Sequence, residues 1–211
     1  MKKINVTMKL VESYSFKEYM DRYFAPDEFV VVDNLKRYTL GGDKIPEGHA
    51  SIEEAIESYI EENFPNTNKE ELLIFPVYAY IHGDMSLSLG EYTDPWDSGI
   101  AGYVIVHPFV NFPEEAEETK EYVEKAIKEF NEGYSEWIVE TEVKYPVEEG
   151  SDRYYCCTLQ PSIYYYGPEP YDKEEQIKIL KDSHFWSKIK KIFKTEDEKE
   201  LEKFLEWNMK Y

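Results

Sequence analysis

The short apolar segments of this chain constrain its fold more than any other feature. Residues 4–12 alternate between apolar and polar side chains, which is typical of a half-buried strand. Runs rich in β-branched and aromatic residues occupy residues 28–34, 71–83 and 100–108. None of these runs approaches the roughly 20 apolar residues of a membrane-spanning helix. The pattern predicts several strands of ordinary length, and we expect the segments 71–83 and 100–108 to pair.

Helix start signals are interleaved with these strands. Ser15 with Glu18, and Ser51 with Glu54, have the spacing of capping boxes, in which the two side chains satisfy backbone N–H groups at a helix start. The second box precedes an apolar stripe over residues 51–64 that repeats every three or four positions. We therefore predict a short helix after Ser15 and a longer amphipathic helix after Ser51.

The second half of the chain repeats both kinds of pattern. Residues 113–133 predict a long helix, with proline at its start, acids in its first turns and glycine at its end. Residues 134–146 and 153–167 predict two strands joined by an acidic turn. The tail, 171–211, carries the apolar spacing of two or three helices.

These elements alternate without a regular strand–helix–strand rhythm, so they predict an α+β fold. We expect a mixed or antiparallel sheet packed by amphipathic helices, followed by a helical C-terminal extension. The predicted domains are an α+β domain over 1–170 and the extension, 171–211, packed on the same body.

The charge of the chain restricts its partners. Its 24 basic residues oppose 44 acidic ones, which gives a net charge of −20. Direct binding to nucleic acid or to an anionic membrane surface is disfavoured, because both need a positive patch. Two interpretations stay open: the charge maintains solubility, or it attracts a partner with a basic groove.

The charge is also uneven along the sequence. Residues 113–150 hold 13 acids and 4 lysines, a local net charge of −9, and could form an acidic face. Such runs are also common on solvated surfaces. Residues 178–194 hold 6 lysines and one aspartate, a net charge of +5. We expect this basic stretch to pack its apolar side on the protein and to leave its lysines in water.

The two cysteines, Cys156 and Cys157, are adjacent and cannot form an ordinary disulfide with each other. This favours a reducing cytoplasm. The first residues lack the apolar block of a signal peptide. The sequence has no P-loop, no Gly-rich dinucleotide motif, no zinc-ligand spacing and no local cysteine–histidine pairing, so we expect no cofactor.

The segment Asp94-Pro95-Trp96-Asp97-Ser98-Gly99 predicts a tight corner. Aspartate favours the first position of a type I turn and proline the second. Trp96 is then either a lid over the core, which is the usual place of a large aromatic side chain, or an exposed binding anchor. We expect the lid.

Four polar residues could converge beside this corner if the flanking strands pair: His82, Asp84, Asp94 and Asp97. One imidazole with carboxylates suits a divalent metal or general acid–base chemistry. The alternative catalytic set is His82, Asp84 and Asp97. No histidine or aspartate spacing typical of a metal loop is present, so we predict neither a metal site nor a committed catalytic residue.

An ordered set of residues runs through this region: Tyr80, His82, Ser86, Ser88, Tyr92, Pro95, Trp96, Asp97, Ser98, Gly99 and Gly102. It resembles an uncharacterised family of small bacteriophage and mobile-element proteins. That family's pattern is Tyr-x-His-Ser-Gly, a serine-bearing strand, Ser-Cys-Pro-Trp-Asp-Ser-Gly and Gln-x-Gly. This chain departs from it with Gly83-Asp84 after the histidine, with Asp94 for cysteine and with Ile100 for glutamine.

The resemblance implies an accessory viral protein in the cytoplasm of an infected host bacterium. Together with the charge, it leads us to expect a non-enzymatic inhibitor of a host factor, most concretely an anti-CRISPR or anti-restriction protein that mimics nucleic acid. The expected partner is a host protein with a basic groove, such as a nuclease complex. The expected partner-binding residues are Trp96, Asp97, Glu114, Glu115, Glu117, Glu118 and Glu121.

Two other functions stay open. One is a small metal-assisted enzyme that acts on a nucleotide or another small molecule through His82, Asp84, Asp94 and Asp97. The other is a self-associating structural component, because the sequence leaves the oligomeric state open.

Overall fold

A computed structural model describes residues 3–107, 114–148, 153–195 and 197–210. The elements along the chain are β1 (Lys3–Ser13), α1 (Phe16–Met20), β2 (Phe29–Asp33), β3 (Asp43–Lys44), α2 (Ile52–Asn63), a 3-10 turn (Lys69–Glu71), β4 (Leu73–His82), β5 (Asp84–Ser88), β6 (Ser98–Val106), α3 (Glu114–Asn131), β7 (Ser135–Pro146), β8 (Tyr154–Gly167), α4 (Lys173–Lys181), α5 (His184–Phe193), α6 (Glu198–Glu202) and β9 (Leu205–Lys210).

The fold is α+β, as predicted, and the C-terminal helices are present. The chain packs into two compact units. We call residues 14–132 the central unit and residues 1–13 with 133–211 the terminal unit. These units divide the chain at other positions than the predicted boundary after residue 170. Among the described residues, no helix is long and apolar enough to cross a membrane.

The central unit has a five-stranded sheet in the order β3-β2-β6-β4-β5. The neighbouring pairs are antiparallel except for β2 with β3. The predicted pairing of the two long apolar segments is confirmed, because β4 lies directly beside β6. Their register shifts between Val77 and Tyr78, which is a bulge.

Helices cover both faces of this sheet. On one face, Ile56 and Ile60 of α2 form a buried cluster with Val32 and Ile105. On the other face, Phe29 of β2 packs against Phe24, whose ring lies edge-on to Tyr122 of α3. At the outer edge of β5, Asn131 at the end of α3 donates to the Leu87 carbonyl and accepts from the Leu87 N–H. The predicted helix starts are confirmed: the Glu18 carboxylate accepts hydrogen bonds from Ser15, and Ser51 Oγ accepts one from the Glu54 N–H.

The terminal unit has a four-stranded sheet in the order β8-β7-β1-β9. β8, β7 and β1 are antiparallel neighbours, whereas β9 runs parallel to β1. The helices α4, α5 and α6 bury Leu180, Phe185, Ile189 and Leu201 against this sheet. The basic stretch therefore packs its apolar side on the unit, as predicted.

One prediction for the tail is wrong. The apolar residues at its end were expected to continue a helix, but residues Leu205–Lys210 form the edge strand β9. Along β9 exposed positions alternate with half-buried ones, and Trp207 and Met209 pack against the core. Leu201, Phe204 and Leu205 have helical spacing, but α6 ends at Glu202 and β9 begins at Leu205. The spacing therefore joins residues of two different elements and does not indicate one helix.

Candidate protein-binding site

The corner that precedes β6 is fixed by its own hydrogen bonds. Asp94 Oδ1 accepts a hydrogen bond of 2.9 Å from the Trp96 N–H, which closes a side-chain-to-backbone turn. Ser98 Oγ donates to the Asp94 carbonyl. The Asp97 carbonyl accepts from the Ile81 N–H at 2.8 Å, which ties the corner to β4. The corner is thus a rigid platform and not a loose loop.

Trp96 is 92% exposed, so the prediction of a buried lid is wrong. The local turn holds the Trp96 N–H against Asp94 at the tip of the corner. A tryptophan exposed on a rigid turn has the properties of a binding anchor, because it presents a large surface and loses little backbone entropy on binding.

His82 and Asp97 are brought together by the pairing of β4 with the corner. His82 Nδ1 lies 3.0 Å from Asp97 Oδ2. The side chains are 75% and 41% exposed. Asp84 pairs with His82 across β4 and β5, whereas Asp94 directs its carboxylate to the turn. In the described part of the chain, no three His, Cys, Asp or Glu side chains group as metal ligands.

Aromatic side chains lie on one side of His82. The Tyr80 ring stacks at 6.2 Å from the His82 ring and lies 5.7 Å from the Tyr92 ring. The Tyr78 hydroxyl donates to Glu91 at 3.3 Å. Partial burial, together with the Glu91 carboxylate, raises the pKa of Tyr78, and burial raises that of Tyr92. Both hydroxyls therefore stay protonated at neutral pH and can donate hydrogen bonds.

This aromatic surface shares a sheet face with α2. Tyr78 pairs with Ile100, which packs against the α2 cluster, and Tyr80 lies on the same side of β4. Burial raises the pKa of Tyr103, and the Glu53 carboxylate in the first turn of α2 adds to this rise, as it does more weakly for Tyr78. The beginning of α2 is thus electrostatically linked to this aromatic surface.

The exposed side of α2 is acidic throughout. The helix carries five exposed glutamates and no lysine or arginine: Glu53, Glu54, Glu57, Glu61 and Glu62. None of these glutamates was predicted to bind the partner, although a helix with acids and no bases is visible in the sequence. Their position beside Tyr78 and Tyr80 could not be predicted, because it depends on the register of the sheet, which sets the face on which α2 packs.

The expected partner-binding glutamates lie on α3, on the opposite face of the sheet. Glu117, Glu118 and Glu121 are exposed. Glu118 also accepts a hydrogen bond from the Tyr122 hydroxyl at 2.7 Å. Glu114 and Glu115 form the first turn of α3, but their side chains lie outside the described residues.

The acidic charge is segregated between the two units. The central unit has 26 acidic and 9 basic residues, a net charge of −17, whereas the terminal unit has 18 and 15, a net charge of −3. The predicted acidic face over 113–150 is divided between them, because α3 belongs to the central unit and β7 to the terminal unit. The excess negative charge is therefore a property of the unit that contains the corner.

Comparison with known proteins gives no relative: no family model, curated protein or solved structure matches this chain.

Proposed function

We propose that this protein is an acidic, phage-type inhibitor that binds a basic host protein through its central unit. The observation that carries the proposal is the 92% exposed Trp96 on a rigid corner of a unit whose net charge is −17. The partner is a nuclease or another nucleic-acid-binding complex of a bacterial defence system such as CRISPR or restriction. The protein acts in the cytoplasm of the host bacterium.

The corner favours a cationic partner surface. An exposed indole attracts arginine and lysine side chains over its ring face, and the attraction grows when the contact is desolvated. Asp94 and Asp97 flank Trp96, and Glu91 lies beside Tyr78. Carboxylates next to an aromatic anchor select positive over negative or neutral partners.

The glutamates of α2 and α3 have different roles in this proposal. Glu53, Glu57 and Glu61 of α2 repeat every four residues, about 6 Å apart along the helix. They share the face of the corner, so they contact the basic groove in place of phosphates. Glu117, Glu118 and Glu121 of α3 lie on the other face and act at longer range, where charge raises the rate of association.

The resemblance to a bacteriophage family supports the choice of a host defence complex as the partner. Its matching residues include Pro95, Trp96, Asp97, Ser98 and Gly99, which form the corner itself. A protein made during infection meets nucleases that bind DNA or RNA through basic grooves, and an acidic protein surface competes with phosphates for such grooves.

The experiment compares two triple charge reversals in assays of DNA cleavage by purified CRISPR and restriction nucleases. The α2 variant carries Glu53→Lys, Glu57→Lys and Glu61→Lys. Its matched control on α3 carries Glu117→Lys, Glu118→Lys and Glu121→Lys, which change the net charge equally. We expect the α2 variant to weaken inhibition at least tenfold, about 1.4 kcal/mol, because it removes contact charges.

The α3 variant should instead slow association and leave dissociation unchanged, as measured by surface plasmon resonance on the inhibited nuclease. Trp96→Ala should shorten the lifetime of the complex. Inhibition of none of the nucleases by the native protein, or equal inhibition by native protein and α2 variant, would contradict the proposal.

A further inference from the structure

The outer edge of β8 pairs with no other strand in the part of the chain that the structure describes. β8 is 14 residues long and stands at the end of the strand order, and β7 is its one neighbour among the described strands. Such an edge leaves a row of backbone N–H and C=O groups without strand partners. Natural proteins usually protect long edge strands with charged side chains, because these groups pair readily with another chain.

β8 has no such protection from charge. Residues 154–167 contain no Asp, Glu, Lys, Arg or His, although 32% of the whole chain is Asp, Glu, Lys or Arg. Five of these 14 residues are tyrosines. A long uncharged strand with high β-propensity at a sheet edge is a surface suited to strand pairing.

The accessible part of this edge is its first half. Pro161 has no N–H to offer, and Lys188 Nζ donates to the Gln160 carbonyl, so the middle of β8 is less suited to pairing. In residues 154–159, Tyr155 is 67% exposed, and Cys156 and Cys157 are both exposed. Since successive residues of a strand point to opposite faces, both faces of the sheet are open to solvent here.

We propose that residues 154–159 form a self-association edge, at which β8 pairs with β8 of a second copy of this chain. Charge favours this occupant. Residues 154–159 offer no carboxylate to a basic partner, whereas two copies of this uncharged strand bring no like-charged side chains opposite each other where they pair. An antiparallel pairing about a twofold axis joins the two four-stranded sheets into one of eight strands.

This pairing is independent of the proposed inhibitor function, and salt distinguishes the two. Each copy carries a net charge of −20, so the two copies repel each other over a Debye length of about 8 to 10 Å near physiological ionic strength. Added salt screens this repulsion and strengthens the dimer. Binding to a basic partner has the opposite dependence, because salt screens an attraction.

Sedimentation velocity of the native chain over a concentration series, at low and at high salt, measures the association. We expect a monomer of 25.1 kDa in equilibrium with a species of twice that mass, and a dimer fraction that rises with salt. Tyr155→Lys places a charge on the edge and should weaken dimerisation at least tenfold. Tyr171→Lys is the matched control, since Tyr171 is 83% exposed but lies outside β8.

Hydrogen exchange gives a second readout that specifies strand pairing. Amides of residues 154–159 should exchange more slowly in concentrated than in dilute protein, and this difference should vanish in Tyr155→Lys. A chain that stays monomeric at every salt concentration would overturn the proposal. A dimer that survives Tyr155→Lys, or one without slowed exchange in residues 154–159, would overturn it as well.

Discussion

The central and terminal units of this protein differ in charge although both are built from a sheet packed by helices. The central unit has a net charge of −17 and the terminal unit one of −3. On the open face of the terminal sheet, bases face acids, as in the pairs Lys9–Glu140 and Lys3–Glu206. On α2 of the central unit, five glutamates have no base on their own helix. Glu61 pairs with Lys69 outside the helix, so the two units differ in their excess of acids and not in whether they form ion pairs.

Folding alone does not require this difference. Net charge far from neutrality destabilises a compact unit through self-repulsion, so an excess of −17 is a cost to the central unit. The same excess accelerates the approach of a positive partner. We therefore place the proposed recognition of a basic partner on the central unit, whereas the terminal unit carries the uncharged strand β8.

The two units also differ in how they satisfy buried polar groups. In the central unit, the fully buried Asp33 carboxylate accepts hydrogen bonds from Leu35 N–H, Thr39 Oγ1, Leu40 N–H and Lys44 Nζ, at 2.7 to 3.0 Å. In the terminal unit, the buried Thr141 Oγ1 has no hydrogen-bond partner among the described residues. The Asp33 carboxylate holds the loop that follows β2 through these hydrogen bonds. Burial of the Thr141 hydroxyl instead costs free energy that no hydrogen bond offsets.

We expect the largest change in stability from Asp33→Ala, which removes the buried carboxylate of the central unit. The substitution leaves the N–H groups of Leu35 and Leu40 and the Thr39 hydroxyl without their acceptor. Each buried donor left unsatisfied costs about 1 to 3 kcal/mol, so the total loss is about 3 kcal/mol or more. We expect the free energy of unfolding of the central unit to fall by that amount, as measured by urea denaturation with native-state hydrogen exchange.

Asp33→Asn serves as the control, because its carbonyl oxygen keeps part of the network and its loss should be smaller. Amides of the terminal unit should report little change in either variant. Unchanged stability of Asp33→Ala would show that the network does not hold the loop after β2.

A smaller effect of opposite sign is expected from Thr141→Val. The change removes the unpaired hydroxyl and keeps the shape of the side chain, so it should stabilise the terminal unit by about 1 kcal/mol. Thermal denaturation of the full chain measures the shift. Thr7→Val is the matched control, since Thr7 lies on the open face of the same sheet and should shift the melting temperature little. Destabilisation by Thr141→Val would mean that its hydroxyl is satisfied in solution.

Much of the fold could be predicted from local sequence patterns. The capping boxes at Ser15 and Ser51 locate two helix starts, and the bounds of β4 and β6 lie within three residues of the predicted ones. These elements are specified by spacing and turn chemistry within a few residues. Strand β9 was missed because its pairing with β1 joins the two ends of the chain, which no local pattern indicates.

The candidate site was only partly predictable for the same reason. The contact of His82 with Asp97 follows from the pairing of β4 with the corner, which the apolar runs already suggest. The exposure of Trp96 does not follow from this pairing. Tryptophan is usually buried, but the turn closed by Asp94 holds Trp96 in an exposed position. The shared face of α2 and Tyr78 depends on the sheet register, including its bulge.

The most direct test of the central claim is an NMR titration of the full chain with a deca-arginine peptide, followed through backbone amide and indole N–H signals. Of the four tryptophans, Trp96 is the one in the central unit, so its indole signal is diagnostic. We predict shifts at Trp96, at residues 97–99 and in the first turns of α2, with little change in the terminal unit. Shifts spread evenly over both units, with Trp96 unaffected, would contradict the assignment of recognition to the central unit.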